Sequence, residues 1–248
     1  MTTWRAEQIC AHRGASAQYP ENTVIAFDAA AHLGAGWIET DVQLLSDGEL
    51  LVFHDETLGR TAAGSAPISS LSWSDVASLD IGSWKHQRFS GERPLTCTQL
   101  IQWQLDEQDR PGIIWEAKCP SDGVAATATA AALAERISAY STHRCIVSSF
   151  DRTFLQAMRA LLPQQPLALI AEVLPSDWLG FCEQYDIAGV HLDGEQLDEC
   201  AAQSILECHR QLRCYTINTI SLAEKLMQMG VEMVMTDRPG DFAVSRAR

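Results

Sequence analysis

The strongest constraint on this chain is an alternation: short apolar runs recur along it, each separated from the next by a longer segment. The runs are Gln8–His12, Trp37–Gln43, Ile113–Lys118, Cys145–Ser149, Leu167–Ala171, Gly189–Leu192, Arg213–Ile217 and Met233–Thr236. They are apolar or β-branched and mostly close on polar residues, the pattern of buried parallel strands. The segments between them carry helical spacing. Glu21–Leu33 repeats Val24, Ile25, Phe27 and Ala31 at three and four, and Gly34 stops it. Gly123–Tyr140 is alanine-rich, Asp151–Leu162 ends before Pro163, and Glu195–Gln211, Ser221–Met229 and Asp241–Arg246 follow. Alternating strands and helices place helices outside a parallel sheet. Eight such units favour an α/β fold closed as a (β/α)8 TIM barrel. The chain has 248 residues, and such a barrel takes about 250, so a single domain over 1–248 is expected.

One interval breaks the rhythm. Residues 44–111 separate the second run from the third. Ser46-Asp47-Gly48 reads as a hairpin turn into an extra strand, Leu50–His54. Gly59, Gly64, Pro67, Gly82, Gly91 and Pro94 then mark an irregular stretch, so a small insertion at about 55–95 follows the second strand. A long excursion at one strand end is commonly a functional lid or insert.

Charge narrows the partners. The chain carries 18 basic and 32 acidic residues, a net charge of −14. That field repels nucleic acid and anionic membrane surfaces. An anionic substrate must therefore be gripped locally, by a metal ion or by a few placed Arg and Lys side chains. No apolar run is long enough to span a membrane, and Met1–Gln8 is no signal region. The protein is expected to be soluble, cytoplasmic and without a membrane anchor; a homodimer is left open. The eight cysteines include no C-x-x-C pair. Cys10, Cys119, Cys145 and Cys214 lie in or beside strand runs and read as buried free thiols suited to a reducing compartment. Cys208 beside His209 offers too few ligands for zinc.

Polar residues gather at the C-terminal ends of the strands, the active-site face of a barrel. The first run ends in His12-Arg13-Gly14, the second holds Glu39-Thr40-Asp41, the extra strand ends in His54-Asp55, and the third run ends in Glu116-Ala117-Lys118. In a strand, positions i and i+2 share a face, so Glu39 sides with Asp41 and Glu116 with Lys118. Three carboxylates turned into one mouth repel each other unless a cation joins them. An all-oxygen ligand set suits Mg²⁺, Ca²⁺ or Mn²⁺ better than zinc. The plainer alternative is a pair of ion pairs, Glu39 with Arg13 and Glu116 with Lys118. His12 and His54 are placed for proton transfer near neutral pH. His32, His86, His143, His191 and His209 have no such setting and read as structural, with His191 the exception worth watching because it lies on a strand. Arg13 offers a planar fork and Lys118 a point charge to a phosphate.

With those residues in view, the sequence resembles the glycerophosphodiester phosphodiesterase family. The resemblance runs through His12-Arg13-Gly14, Pro20-Glu21-Asn22-Thr23, Ala26-Phe27, Gly36, Ile38-Glu39-Thr40-Asp41-Val42 and His54-Asp55-x-x-Leu58-x-Arg60-Thr61. It continues in Glu116-x-Lys118, Ser149-Phe150-Asp151 and Thr236-Asp237-x-Pro239, and so covers roughly residues 9–242. The resemblance implies His12 as general base and His54 as general acid. It implies Glu39, Asp41 and Glu116 as ligands of one divalent cation, Mg²⁺ or Ca²⁺ with Mn²⁺ as a further candidate, and Arg13 and Lys118 as phosphate binders. It implies attack by the glycerol hydroxyl beside the phosphate, giving a cyclic phosphate that water opens to glycerol 3-phosphate. Asn22, Phe150 and Tyr215 are pocket candidates; Asn22 is also placed to cap the first helix, and Asp237 to cap the last.

The sequence departs from the family at one point. Where the seventh strand commonly reads Trp-Thr-x-Asn, this chain has Tyr215-Thr216-Ile217-Asn218, which touches the fit around the substrate rather than the phosphate chemistry. Three other readings compete. Lysophospholipids would need an apolar surface near the mouth, and Trp73, Trp84 and Phe89 either supply it or belong to the core. A Schiff-base aldolase would use Lys118, but leaves both histidines and three carboxylates unexplained. A barrel that merely binds a phosphorylated ligand leaves the proton-transfer pair unexplained.

Overall fold

The computed structural model describes residues 3–119, 123–140 and 144–242. Its strands are β1 (Ile9–His12), β2 (Trp37–Leu44), β3 (Leu50–Val52), β4 (Leu95–Thr96), β5 (Gly112–Ala117), β6 (Cys145–Ser149), β7 (Leu167–Ala171), β8 (Gly189–Asp193), β9 (Gln211–Tyr215) and β10 (Met233–Thr236). The helices are α1 (Val24–His32), α2 (Trp73–Val76), α3 (Cys97–Asp106), α4 (Gly123–Tyr140), α5 (Arg152–Leu161), α6 (Trp178–Gln184), α7 (Glu199–Glu207) and α8 (Ile220–Gln228). Going round the sheet, β1, β2, β5, β6, β7, β8, β9 and β10 pair in parallel, and β10 returns to β1, so the ring is closed. This is the (β/α)8 barrel that the alternation implies. Outside the ring, β3 folds back antiparallel on Val42–Leu44 of β2, and β4 pairs with β3.

Alternation along each strand sorts side chains into two layers. Ile9, Ala11, Ile38, Ile113, Val147, Leu169, Val190 and Leu212 point outward and pack under the helices in one large core. Cys10, Ile114, Ile146, Ala168, Met233 and Met235 point inward and fill the ring, with Trp37 and Tyr215 against them. The inward positions become polar towards the C-terminal strand ends. Register fixes their heights: His12 is level with Glu39, and Asp41 with Glu116.

Several boundaries differ from the sequence reading for local reasons. The first helix starts at Val24, not Glu21, because Asn22 has φ of 58° and Thr23 is the N-cap, its side chain accepting from the Ala26 N–H. The helix expected over Glu195–Gln211 is confined to Glu199–Glu207: Asp198 caps its start, accepting from the Ala201 N–H, and Gln211 is drawn into β9 opposite Gly189. That pairing also moves β9 forward from the expected Arg213–Ile217. Helices α2, α3 and α6 were not expected. The stretch expected to be a helix over Asp241–Arg246 lies mostly outside the described residues; Pro239–Asp241 forms a single 3₁₀ turn.

The excursion between β2 and β5 holds a small core of its own. Leu45, Leu51, Phe53, Ala62, Ile68, Val76 and Ile81 pack together, with Leu58, Leu71, Trp73 and Leu79 against them. This cluster sits at the C-terminal end of β2 and carries the segment that follows β3 to the barrel mouth.

Candidate active site

Glu39, Asp41 and Glu116 converge. Each offers one carboxylate oxygen such that the three atoms lie within 4.8 Å of one another, and all three residues are buried. Glu39 Oε1 and Asp41 Oδ1 are sealed from solvent and accept no hydrogen bond. Buried carboxylate oxygens without donors are costly unless a cation takes their place. The donor set is all-oxygen and could hold a metal ion of the Mg²⁺, Ca²⁺ or Mn²⁺ type. The charges respond to this crowding. Burial, then the charges of Asp41 and Glu116, push the Glu39 carboxyl well above the usual carboxylate range. Burial and Asp41 push Glu116 up likewise. Burial opposes ionisation of Asp41 as well, but Arg13, Lys118, His54 and the Asn22 amide outweigh it and hold Asp41 at about 2.

The plain ion-pair alternative is half met. Lys118 Nζ donates to Glu116 and also lies 3.4 Å from Asp41 Oδ1. Burial opposes the charge on Lys118, but Asp41 and Glu116 raise its pKa. A lysine so held is an ammonium, not the free amine that a Schiff base requires. The Arg13 side chain does not pair with Glu39. Its Nε lies 3.2 Å from Asp41 Oδ2 and its Nη1 donates to Glu21 Oε1 at 2.8 Å, while Glu39 Oε2 accepts the Arg13 backbone N–H.

The two histidines are built alike. His12 Nδ1 is 2.7 Å from Asp237 Oδ1, and His54 Nδ1 is 2.8 Å from Asp55 Oδ1. Burial works against ionisation of Asp237, but the hydrogen bond and charge of His12, with donors from Asn218 and Ser16, hold it well below the usual range. Asp55 is held low against burial by Arg60 and His54. Both carboxylates are therefore acceptors, so each Nδ1 carries its proton and each Nε2 is left to act. His12 Nε2 lies 3.9 Å from Glu39 Oε2. Arg60 donates to both Asp55 and Glu21, which closes a chain of charges from His54 through Asp55, Arg60 and Glu21 to Arg13.

The pocket candidates separate. Asn22 does not cap α1. Its left-handed backbone turns the side chain inward, where Nδ2 donates to Asp41 Oδ2 at 3.0 Å and Oδ1 accepts from Thr40 at 2.8 Å. Asp237 does not cap a helix either; it is committed to His12, Ser16 and Asn218. Sequence reasoning gave neither Asp237 nor Asp55 a function, although the Thr236-Asp237 end of β10, adjacent to β1 in a closed ring, was the available signal. Phe150 is 47% exposed and meets the Tyr215 ring edge-on at 6.3 Å, with Lys118 Nζ 5.8 Å from the phenyl centroid. The Tyr215 hydroxyl donates to the Ala171 carbonyl. Beside this wall lies a cavity of about 520 Å³ lined by Gln43, Glu56, Lys118, Ser149, Phe150 and Asp151. Among the other histidines, His191 is buried beside Arg213, and burial with that charge pushes its pKa well down, so it stays neutral. His86 caps a 3₁₀ turn, and His143 lies outside the described residues.

Acidic, basic and imidazole side chains gathered at the C-terminal rim place the protein among the (β/α)8-barrel enzymes. Comparison with known proteins narrows the class. Residues 12–241 match the model of the glycerophosphoryl diester phosphodiesterase family. The chain is 32% identical to YhdW of Bacillus subtilis, over 95% of this chain and 96% of that one. It is 29% identical to the glycerophosphodiester phosphodiesterase of Caldanaerobacter subterraneus, over 93% of this chain and 94% of that one. Among solved structures it is similar to an Oleispira antarctica phosphodiesterase in complex with the product sn-glycerol-3-phosphate, with 32% identity, a TM-score of 0.88, and 95% and 94% of the two chains covered. The chain belongs to the glycerophosphoryl diester phosphodiesterase family and is an enzyme of that class. Among the described residues, no helix is long and apolar enough to cross a membrane.

Proposed function

We propose that the protein hydrolyses glycerophosphodiesters to glycerol 3-phosphate and an alcohol, using one divalent cation and two histidines. The observation that carries this reading is the meeting of Glu39, Asp41 and Glu116 beside the carboxylate-backed His12. These carboxylates would hold Mg²⁺, Ca²⁺ or Mn²⁺, which when bound polarises phosphate and hydroxyl oxygens. Arg13 and Lys118 bind the phosphate oxygens and offset the chain's negative charge where the anion sits.

His12, neutral at Nε2, takes the proton of the glycerol hydroxyl next to the phosphate as that oxygen attacks phosphorus. His54, protonated at Nε2, gives its proton to the leaving alcohol as the old P–O bond breaks. The product of this step is a cyclic phosphate. Water then attacks phosphorus, His54 takes its proton, and His12 returns a proton to the departing glycerol oxygen. Both histidines end as they began. Asp237 and Asp55 fix the tautomers and steady the imidazolium forms, and Asn22 holds Asp41 in place.

The test is release of glycerol 3-phosphate from several glycerophosphodiesters by chelated enzyme, with and without each cation. The reading expects no turnover after chelation and recovery with Mg²⁺, Ca²⁺ or Mn²⁺. Full turnover by stripped enzyme would take the metal out of the mechanism.

A further inference from the structure

A second chamber adjoins the reaction centre. It has a volume of about 370 Å³ and its walls include His12, Arg13, Ser16, Lys85, Asp237 and Arg238. None of Glu39, Asp41, Glu116, Lys118 or His54 lines it. It is therefore a neighbour of the phosphate site that shares only the His12–Arg13 wall.

Its charge is unusual for so acidic a chain. The acidic groups on its wall are already committed. Glu21 accepts from Arg13 and twice from Arg60, and Asp237 accepts from His12, Ser16 and Asn218. Of the cations, Arg13 is committed to Glu21 and Asp41, but Lys85 and Arg238 are not. Lys85, half-buried and supplied by the excursion after β2, donates to a neutral acceptor, the Ser16 carbonyl, at 2.6 Å. Its ammonium lies 5.5 Å from the Trp84 ring centroid, and among the described residues no carboxylate lies within ion-pair distance of it. Among the described residues the Arg238 side chain reaches only Asp241, at 4.0 Å between two exposed groups, a weak pair. Two cations with donors to spare thus face a chamber whose carboxylates are spent.

The chamber lies on the His12 side, where the proposed function places the glycerol rather than the leaving alcohol. Glycerol has three oxygens: one carries the scissile phosphate, the middle one attacks, and the third is free to bear a substituent. We propose that this chamber binds a phosphate carried on that third oxygen, so that the enzyme prefers diesters whose glycerol is phosphorylated at its far end. Lys85 and Arg238 supply the charge-assisted hydrogen bonds. The inference rests on the assignment of His12 to the glycerol side.

The test compares kcat/KM for two diesters with the same leaving alcohol, one with a free terminal glycerol hydroxyl and one with a phosphate there. In wild-type enzyme with cation, the phosphorylated diester is expected to lead by about tenfold or more, the scale of one hydrogen bond to a charged group. Lys85→Gln and Arg238→Gln should each erase most of that lead, keep turnover of the unphosphorylated diester within about twofold, and leave Tm unchanged, whereas Lys85→Arg should retain the lead. Equal kcat/KM for the two diesters in wild type, or equal losses on both in the variants, would overturn the proposal. Inhibition of the unphosphorylated diester by inorganic phosphate that weakens in both variants, without any preference between substrates, would make a free anion the occupant and also overturn it. Failure of the wild type to cleave even the unphosphorylated diester would strike the proposed function itself, and so is distinguishable.

Discussion

At the scale of single residues, the site is a matter of what stands behind each reacting group. His12 and His54 each rest on an ionised aspartate, so removing a backing carboxylate should cost less than removing the imidazole but should still be felt. His12→Ala and His54→Ala are each expected to lower kcat by at least ~10²-fold. Asp237→Asn frees His12 to adopt the wrong tautomer and should lower kcat with little change in KM. Steady-state kinetics on folded variants checks both; a normal kcat in Asp237→Asn would mean that His12 needs no partner. The carboxylates give a second prediction. In metal-free protein, Glu39 and Glu116 hold protons that the unfolded chain has released once pH rises above the ordinary carboxylate range. The folded state binds more protons there, so its stability falls as pH rises through that window. Asp41, held at about 2, is ionised throughout and adds no slope. A bound cation removes the penalty, so the rise in Tm on adding Mg²⁺ or Ca²⁺ should grow with pH, as thermal unfolding of chelated protein would show; a constant or shrinking rise would separate the cation from these carboxylates. Glu39 with Asp41 and Glu116 with Lys118 were legible from i, i+2 spacing at strand ends, and His12 and His54 from their places at or just past a strand's C-terminal end. Asp237 was not, since its role depends on β10 closing against β1 from the far end of the sequence. Asn22 was only half legible, since a left-handed backbone decides where its side chain goes.

At the scale of elements, periodicity recovered every strand of the ring but missed helices α2, α3 and α6. Helix α6 has seven residues and no side-chain cap, too short for a repeat at three and four to stand out. Helix α3 was masked by the irregular stretch before it, although Thr96 and Gln99 form a capping box, with the Gln99 N–H donating to Thr96 Oγ1 and the Gln99 side chain accepting from the Thr96 N–H. The excursion after β2 was read as an insert, but its internal core could not be foreseen, because Leu45, Phe53, Ile68 and Val76 follow no single period. That core supports the backbone that presents His54, Asp55 and Arg60. Ile68 is fully buried in it, so Ile68→Ala should cost about 2–4 kcal/mol. Because this small core is separate from the main one, the damage should appear first as lost turnover. The expectation is a fall in kcat at temperatures where far-ultraviolet circular dichroism still reports an intact barrel. Loss of activity only in step with global unfolding would show that the insert and barrel melt as one unit. Gly14 illustrates the opposite dependence, of an element on one residue: its φ is 83° and a Cβ there would stand 2.7 Å from Ala26, so the turn that aims Arg13 tolerates no side chain.

At the scale of the whole molecule, the question is which diesters can approach the mouth. A long acyl chain left in water gains nothing from binding, whereas each buried methylene would contribute about 0.8 kcal/mol. The aromatics of the excursion do not provide a place for one. Phe89 is buried, Trp73 packs against the small core, and the exposed ring of Trp84 is faced by Arg60 and Lys85, both charged. Phe150 is the exposed aromatic at the mouth, and Glu56, Asp151 and Lys118 share its cavity. The other large exposed apolar side chains, Leu33, Leu105, Leu161 and Val173, are not among the residues lining that cavity or the chamber beside His12. The net charge of −14 adds repulsion from anionic membrane surfaces, where lysophospholipids partition. Diesters whose glycerol carries no acyl chain are therefore the expected substrates. For one head group, the deacylated diester should exceed its monomeric lysophospholipid counterpart in kcat/KM by at least about tenfold, a difference of about 1.4 kcal/mol. Measuring both below the micellar concentration keeps surface dilution out of the comparison. Equal or faster cleavage of the acylated substrate would require an apolar surface that forms only when the lipid binds, and the excursion that carries Trp73 and Trp84 would then be the element that moves to make it.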